Sequence, residues 1–177
     1  MQRNIRDLNW FLVERAFNVV LRRVKLKLKK TKTKLNAVCG VPRGGLPMAV
    51  WFSHHMDLPM ALVNPVTTRL PNNGEGWLVC DDICDSGATA EAVRELNPKA
   101  TIVTMIGPMG YERRSYVDHI GIAHDANTWW VFPWEKNSKA RKDYFDYKRA
   151  RAKGREVKRI KKPPPVAKKQ AIVWVKP

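Results

Sequence analysis

The sequence predicts an α/β protein: a parallel sheet flanked by helices, with basic N- and C-terminal extensions. Short apolar runs of strand length, expected near 36–41, 60–64, 76–81, 100–106 and 117–122, alternate with helical segments near 45–55 and 88–96. Such alternation argues for a parallel sheet built through right-handed crossovers. Two of the runs also end in glycine-containing loops that lead straight into a helix, and strand ends of this kind are where open α/β sheets bind ligands.

A helix is expected first, over 7–24. Leu8, Phe11, Leu12, Ala16, Val19 and Val20 recur near helical spacing, with Arg6, Arg15, Arg22 and Arg23 left for the polar side. The next ten residues, 25–34, alternate lysine with apolar or hydroxyl residues. They are compatible with an edge strand, an extended basic helix or a loop, and repulsion among the lysines argues against a stable isolated element.

The strand at 36–41 runs into Val41-Pro42-Arg43-Gly44-Gly45. Arg43 offers a delocalised charge and several donors to phosphate oxygens, and the glycines permit backbone geometry that a Cβ would block. After the helix at 45–55 and the strand at 60–64, only residues 65–76 connect to the next strand. That strand, beginning at Trp77, ends in the acidic pair Asp81-Asp82 and then Asp85-Ser86-Gly87-Ala88-Thr89 at the start of a helix. Orphan N–H groups and the helix dipole favour a phosphate there, Gly87 lets the backbone come close, and Ser86 and Thr89 add hydroxyl donors. Asp81 and Asp82 repel a phosphate, so they suit ribose hydroxyls or a magnesium ion. The loop therefore reads as a site for a phosphorylated sugar.

This segment resembles the phosphoribosyl pyrophosphate motif of type I phosphoribosyltransferases: apolar residues, two acids, two variable residues, then Asp-Thr-Gly-x-Thr. Ser86 stands where that pattern has threonine and keeps the hydroxyl. The Arg43-Gly44-Gly45 segment resembles the family's pyrophosphate loop, with Pro42 in place of a serine. Thr128-Trp129 and Pro133-Trp134 keep the spacing of the Thr-Trp and Pro-Trp pairs in xanthine-guanine enzymes. In that family the aromatic residue stacks on the purine and the next residue's backbone reads the base edge, which points to Trp129 and Trp130. An indole face attracts any flat heterocycle with little discrimination. Tryptophans are equally at home in a core, the preferred reading for Trp134 beside Pro133.

The resemblance, covering about 35–135 with the preceding helix, implies a type I phosphoribosyltransferase core. It implies transfer of ribose 5-phosphate from phosphoribosyl pyrophosphate to a nucleobase, by likeness a purine, with magnesium assistance. Arg43, Gly44 and Gly45 would then hold pyrophosphate, Asp81 and Asp82 the ribose hydroxyls or the metal, with Asp82 the metal ligand. Ser86, Gly87, Ala88 and Thr89 would bind the 5′-phosphate, and Asp85 would be the acid/base near the purine nitrogen. Two features depart from the family: the connection at 65–76 is shorter than its mobile lid, and Met105-Ile-Gly-Pro-Met109 lacks its base-reading lysine. A shortened lid admits water and favours slow turnover or hydrolysis. The alternative is therefore a pocket that binds phosphoribosyl pyrophosphate or a nucleotide without efficient turnover.

Charge divides the chain at 34–36 and near 135. Residues 1–36 carry eleven Lys/Arg against two acids, 37–135 six against eleven, and 136–177 sixteen against three, giving +9, −5 and +13. The basicity is appended to an acidic core, which implies a polyanionic partner, most simply RNA or DNA bound through the flanks. The tail, 136–177, mixes cations with Tyr144, Phe145 and Tyr147 and is expected to be partly helical and partly disordered. A solubilising extension explains its composition equally well. A basic ribosomal or virion protein with a vestigial site would share it. Cys39, Cys80 and Cys84 are odd in number and lie in or beside expected core strands, so reduced thiols and a cytoplasmic setting are expected. The four histidines suggest no metal site. No stretch is apolar for long enough to span a bilayer, and a homo-oligomer is compatible with the sequence.

Overall fold

A computed structural model of the protein describes residues 4–108, 116–124, 128–152 and 172–175. Eight strands and four helices are assigned in chain order: β1 Asn4–Asp7, α1 Trp10–Thr31, β2 Ala37–Gly40, α2 Leu46–Met56, β3 Met60–Leu62, β4 Trp77–Ile83, α3 Ala88–Leu96, β5 Thr101–Pro108, β6 His119–His124, β7 Thr128–Val131, α4 Asn137–Ala152 and β8 Val173–Val175. Six strands form one sheet in the order β6-β5-β4-β2-β3-β8. All its pairs are parallel except β3 with β8, and β1 pairs with β7 in a separate parallel ribbon. The parallel sheet flanked by helices expected from the sequence is the observed architecture.

From β2 the chain moves outward through α2 to β3, and from β4 it moves the other way through α3 to β5. The strand order therefore reverses between the neighbours β2 and β4, and a crevice opens at the carboxyl ends of such a pair. Both loops singled out above leave the sheet at that point.

Helix α1 begins at Asn9, whose Oδ1 accepts a hydrogen bond from Leu12 N at 2.9 Å. It buries Val13, Ala16, Phe17, Val20, Leu21 and Val24, a stripe at three- and four-residue spacing. The helix continues to Thr31, seven residues beyond its expected end. Leu28 packs against the core, and Lys27 Nζ reaches Asp118 Oδ1 at 2.7 Å. Lysines in the last turn also meet the negative end of the helix dipole. These tertiary contacts outweigh the lysine repulsion. Asp118 further accepts Arg94 Nη2 at 2.9 Å and Ile102 N at 2.8 Å, so it ties α1, α3 and β5 together. Its carboxyl is held below the usual carboxylate range, these partners overcoming the opposing effect of burial.

The connection from β3 to β4 is compact. Asn97, fully buried at the end of α3, accepts Leu70 N at 2.7 Å and donates to Pro65 O at 3.0 Å and Thr68 O at 3.2 Å. Val66 and Leu70 are buried in the same cluster as Ala90 and Val93 of α3. The segment is thus pinned along α3. The C-terminal flank, expected to be partly disordered, contributes α4 and β8. β8 is exposed but aligns with edge strand β3, with Trp174 beside Trp77 at 5.4 Å between ring centroids.

Asn97→Ala removes three internal hydrogen bonds at a site without water access, and is expected to destabilise the fold by about 2–4 kcal/mol. Chemical denaturation measures it, and a loss below about 1 kcal/mol would show that the connection is held by apolar packing alone.

Candidate active site

The loop after β2 packs directly on the end of β4. Val41 N donates to Cys80 O at 2.8 Å and Gly45 N to Val41 O at 2.9 Å, which draws the first loop against the end of β4. The Pro42–Arg43 peptide bond is cis. A Cβ on Gly44 would collide with the Asp82 carboxylate, one on Gly45 with the carbonyl of Cys80, and one on Gly40 would lie 2.6 Å from Gly45 O. The glycines are required by this approach. The Arg43 side chain is exposed and makes no hydrogen bond or ion pair among the described residues, leaving its guanidinium free for an anion.

Asp81 and Asp82 are half-buried at the end of β4, each turned back on the chain: Asp82 N donates to Asp81 Oδ1 at 3.0 Å, and Ile83 N to Asp82 Oδ1 at 2.8 Å. Burial pushes the Asp81 carboxyl well up, and the neighbouring Asp82 charge adds to it. Burial likewise raises Asp82 to about 6, with Glu135 adding repulsion. Glu135 is held by Phe132 N, which donates to Oε2 at 2.9 Å. The strand end is therefore an acidic site that gains from a cation.

Beyond it, Gly87 takes a left-handed φ of 83° and places the first turn of α3 next to the loop. Ala88 N donates to Ser86 Oγ at 3.4 Å, and Thr89 lies half-buried in that turn. Asp85 sits between the acidic pair and this turn. An exposed arginine, two half-buried carboxylates and a helix start thus lie at the carboxyl ends of two neighbouring strands.

The chain is 32% identical over 117 residues to xanthine-guanine phosphoribosyltransferase of Cereibacter sphaeroides, covering 56% of this chain and 68% of that protein. It belongs to the type I phosphoribosyltransferase family. The xanthine-guanine phosphoribosyltransferase of Nitratidesulfovibrio vulgaris is 29% identical over 119 residues, 59% of this chain and 71% of the relative. The solved Helicobacter pylori xanthine-guanine-hypoxanthine phosphoribosyltransferase shares the fold at a TM-score of 0.53 and 22% identity, covering 79% of this chain and 99% of that one. No family model matches the chain.

In this phosphoribosyltransferase-family chain the two tryptophans expected at the base turn their side chains apart. Successive strand residues face opposite sides. Trp130 packs on the main core, whereas Trp129 meets Tyr144 and Tyr147 of α4 at 5.7 and 5.6 Å between ring centroids. Sequence reasoning placed these tyrosines in the basic tail without a partner, although their spacing with Ala140 marks one helical face. Trp134 stacks on Phe132 at 4.7 Å and lies beside Trp10, as its core reading anticipated. The end of β5, Met105 to Pro108, carries no cationic side chain, and Arg113 and Arg114 lie outside the described residues.

The donor set fits magnesium. Two adjacent carboxylates supply hard oxygen ligands, and magnesium is commonly held by one or two carboxylates together with substrate phosphates. The described residues contain no group of three or more metal-ligating side chains, so a ligand would have to complete the shell. Cys39 and Cys80 take no part: burial pushes Cys39 to about 12 and raises Cys80 further from reactivity.

The raised Asp82 value carries a stability consequence. Between its ordinary 3.8 and about 6, the folded chain holds a proton that the unfolded chain has lost. Stability without ligand is therefore expected to fall as pH rises from about 4 to 6, and Asp82→Asn to flatten that fall; an unchanged slope of thermal midpoint against pH in the variant would contradict the assignment.

Proposed function

We propose that this chain transfers ribose 5-phosphate from phosphoribosyl pyrophosphate to a nucleobase, a purine by likeness to its relatives, releasing pyrophosphate. The observation that carries this reading is the contact of Gly44 with Asp82, which joins an anion-binding loop to a cation-binding strand end. A phosphorylated sugar bearing a pyrophosphate needs both within one ligand's length.

In this reading Arg43 and the backbone of Gly44 and Gly45 hold the pyrophosphate. Ser86, Gly87, Ala88 and Thr89 hold the 5′-phosphate, with the α3 N-terminus contributing its dipole. Asp81 and Asp82 orient the ribose hydroxyls, Asp82 being the ligand through which the chain would hold magnesium. Magnesium, when bound, neutralises charge on the departing pyrophosphate. The bond from the sugar's anomeric carbon to pyrophosphate breaks, a bond to the base nitrogen forms, and Asp85 accepts the proton that nitrogen loses. Fixing both reactants is the protein's main contribution. Trp129 supplies a ring for the base beside β7. The three buried cysteines, none of them in a disulfide, support a cytoplasmic setting.

A second reading, binding without efficient turnover, is favoured by three observations: the pinned connection after β3, the absence of a cation at the end of β5, and the tyrosines already packed on Trp129.

A magnesium-dependent assay of pyrophosphate release across a panel of bases separates the two. Base-dependent release, lowered at least about a hundredfold by Asp85→Asn, is the expected result for general acid–base catalysis. No release from a chain that calorimetry shows to bind phosphoribosyl pyrophosphate would overturn the transferase reading and leave the binding one.

A further inference from the structure

Two cations of α1 are engaged by the fold, Arg23 Nη1 donating to Ile120 O at 2.6 Å and Lys27 pairing with Asp118. Arg15, Arg22, Lys25, Lys29 and Lys32 remain exposed, and none of their side chains makes a hydrogen bond or ion pair among the described residues. Their spacing of seven, three, four and three residues places them in a row, which at 1.5 Å per residue extends over about 26 Å.

A groove of about 610 Å³ follows this face, bordered by Phe11, Arg15, Asn18, Val19, Arg22, Arg23 and Leu26, with Glu14 the one carboxylate on its edge. Phe11 is 69% exposed and Leu26 56%. A row of lysines alone is a solvated face. A groove in which arginines alternate with an exposed phenyl ring, an amide and aliphatic side chains offers two further kinds of contact, stacking and hydrogen bonding.

We propose that this face of α1 is a docking site for single-stranded nucleic acid, with Arg15, Arg22, Lys25 and Lys29 on successive phosphates and Phe11 stacked on a base. Charge complementarity selects the occupant: the chain carries a net charge of +17, and residues 1–36 account for +9 of it. Phosphate contacts supply affinity through counterion release, and an exposed aromatic ring adds sequence-tolerant stacking that requires a base free of its duplex. The site is separate from the crevice between β2 and β4 and does not depend on the transferase reading.

The test is fluorescence anisotropy of the full chain with labelled 20-nucleotide oligo(U), oligo(dT) and a duplex of the same length, between 50 and 200 mM salt. The variant R15Q/R22Q/K25Q/K29Q keeps good helix formers at each position, and circular dichroism checks its helicity. It is expected to bind either single strand at least about tenfold more weakly, with the slope of log affinity against log salt shallower by about 3. Phe11→Ala is expected to lose about fivefold or more without changing that slope. R15K/R22K, which keeps the charge, retains binding. Unaltered binding in the quadruple glutamine variant, no binding by the native chain, or a duplex bound as tightly as the single strands would each overturn the proposal.

Discussion

The approach of two loops at the carboxyl ends of β2 and β4 is the constraint on which the site depends. Three glycines stand where a single methyl group would meet backbone or carboxylate: Gly40 against Gly45, Gly44 against Asp82, and Gly45 against Cys80. Because strand order reverses between β2 and β4, a crevice at their carboxyl ends arises from topology. The exposed Arg43 and the start of α3 both lie at those strand ends. No covalent chemistry is asked of these groups; they hold charges at fixed separations.

Asp81 and Asp82 sit half-buried, bonded to backbone N–H groups and to each other, and Glu135 adds a third negative charge nearby. Burial, with repulsion from the neighbouring charges, raises their proton affinity. The rest of the molecule compensates elsewhere: Asp118, equally acidic in origin, is satisfied by Lys27, Arg94 and the backbone of Ile102 and holds the sheet to its helices. One carboxylate with three partners builds the fold, while two without cationic partners mark the site. The short connection after β3 belongs to the first category, since Asn97 binds it to α3.

The loops were legible because their residue types carry their own geometry. Arg43-Gly44-Gly45 and Asp85-Ser86-Gly87 each follow a short apolar run, and glycine at those places has few other uses. Strand and helix alternation gave away the sheet for the same reason. The ribbon of β1 with β7 was not legible: Asn4–Asp7 contains one apolar residue, and its pairing with Thr128–Val131 spans most of the chain. The extension of α1 to Thr31 depended on Asp118, more than eighty residues away. Asn97 lies one residue past the helix expected at 88–96, and only the folded chain reveals its three partners. Tyr144 and Tyr147 lay in a segment whose composition pointed to solvent, yet their shared helical face reaches Trp129.

The central claim is that the two loops form one phosphate site. Amide chemical-shift changes in a nitrogen-15-labelled chain, on adding phosphoribosyl pyrophosphate with magnesium, test it most directly. The account predicts simultaneous shifts at Gly44, Gly45, Asp82 and residues 86–89, with smaller changes across β3 and β8. Shifts confined to one loop, or centred on α1 with neither loop moving, would contradict it.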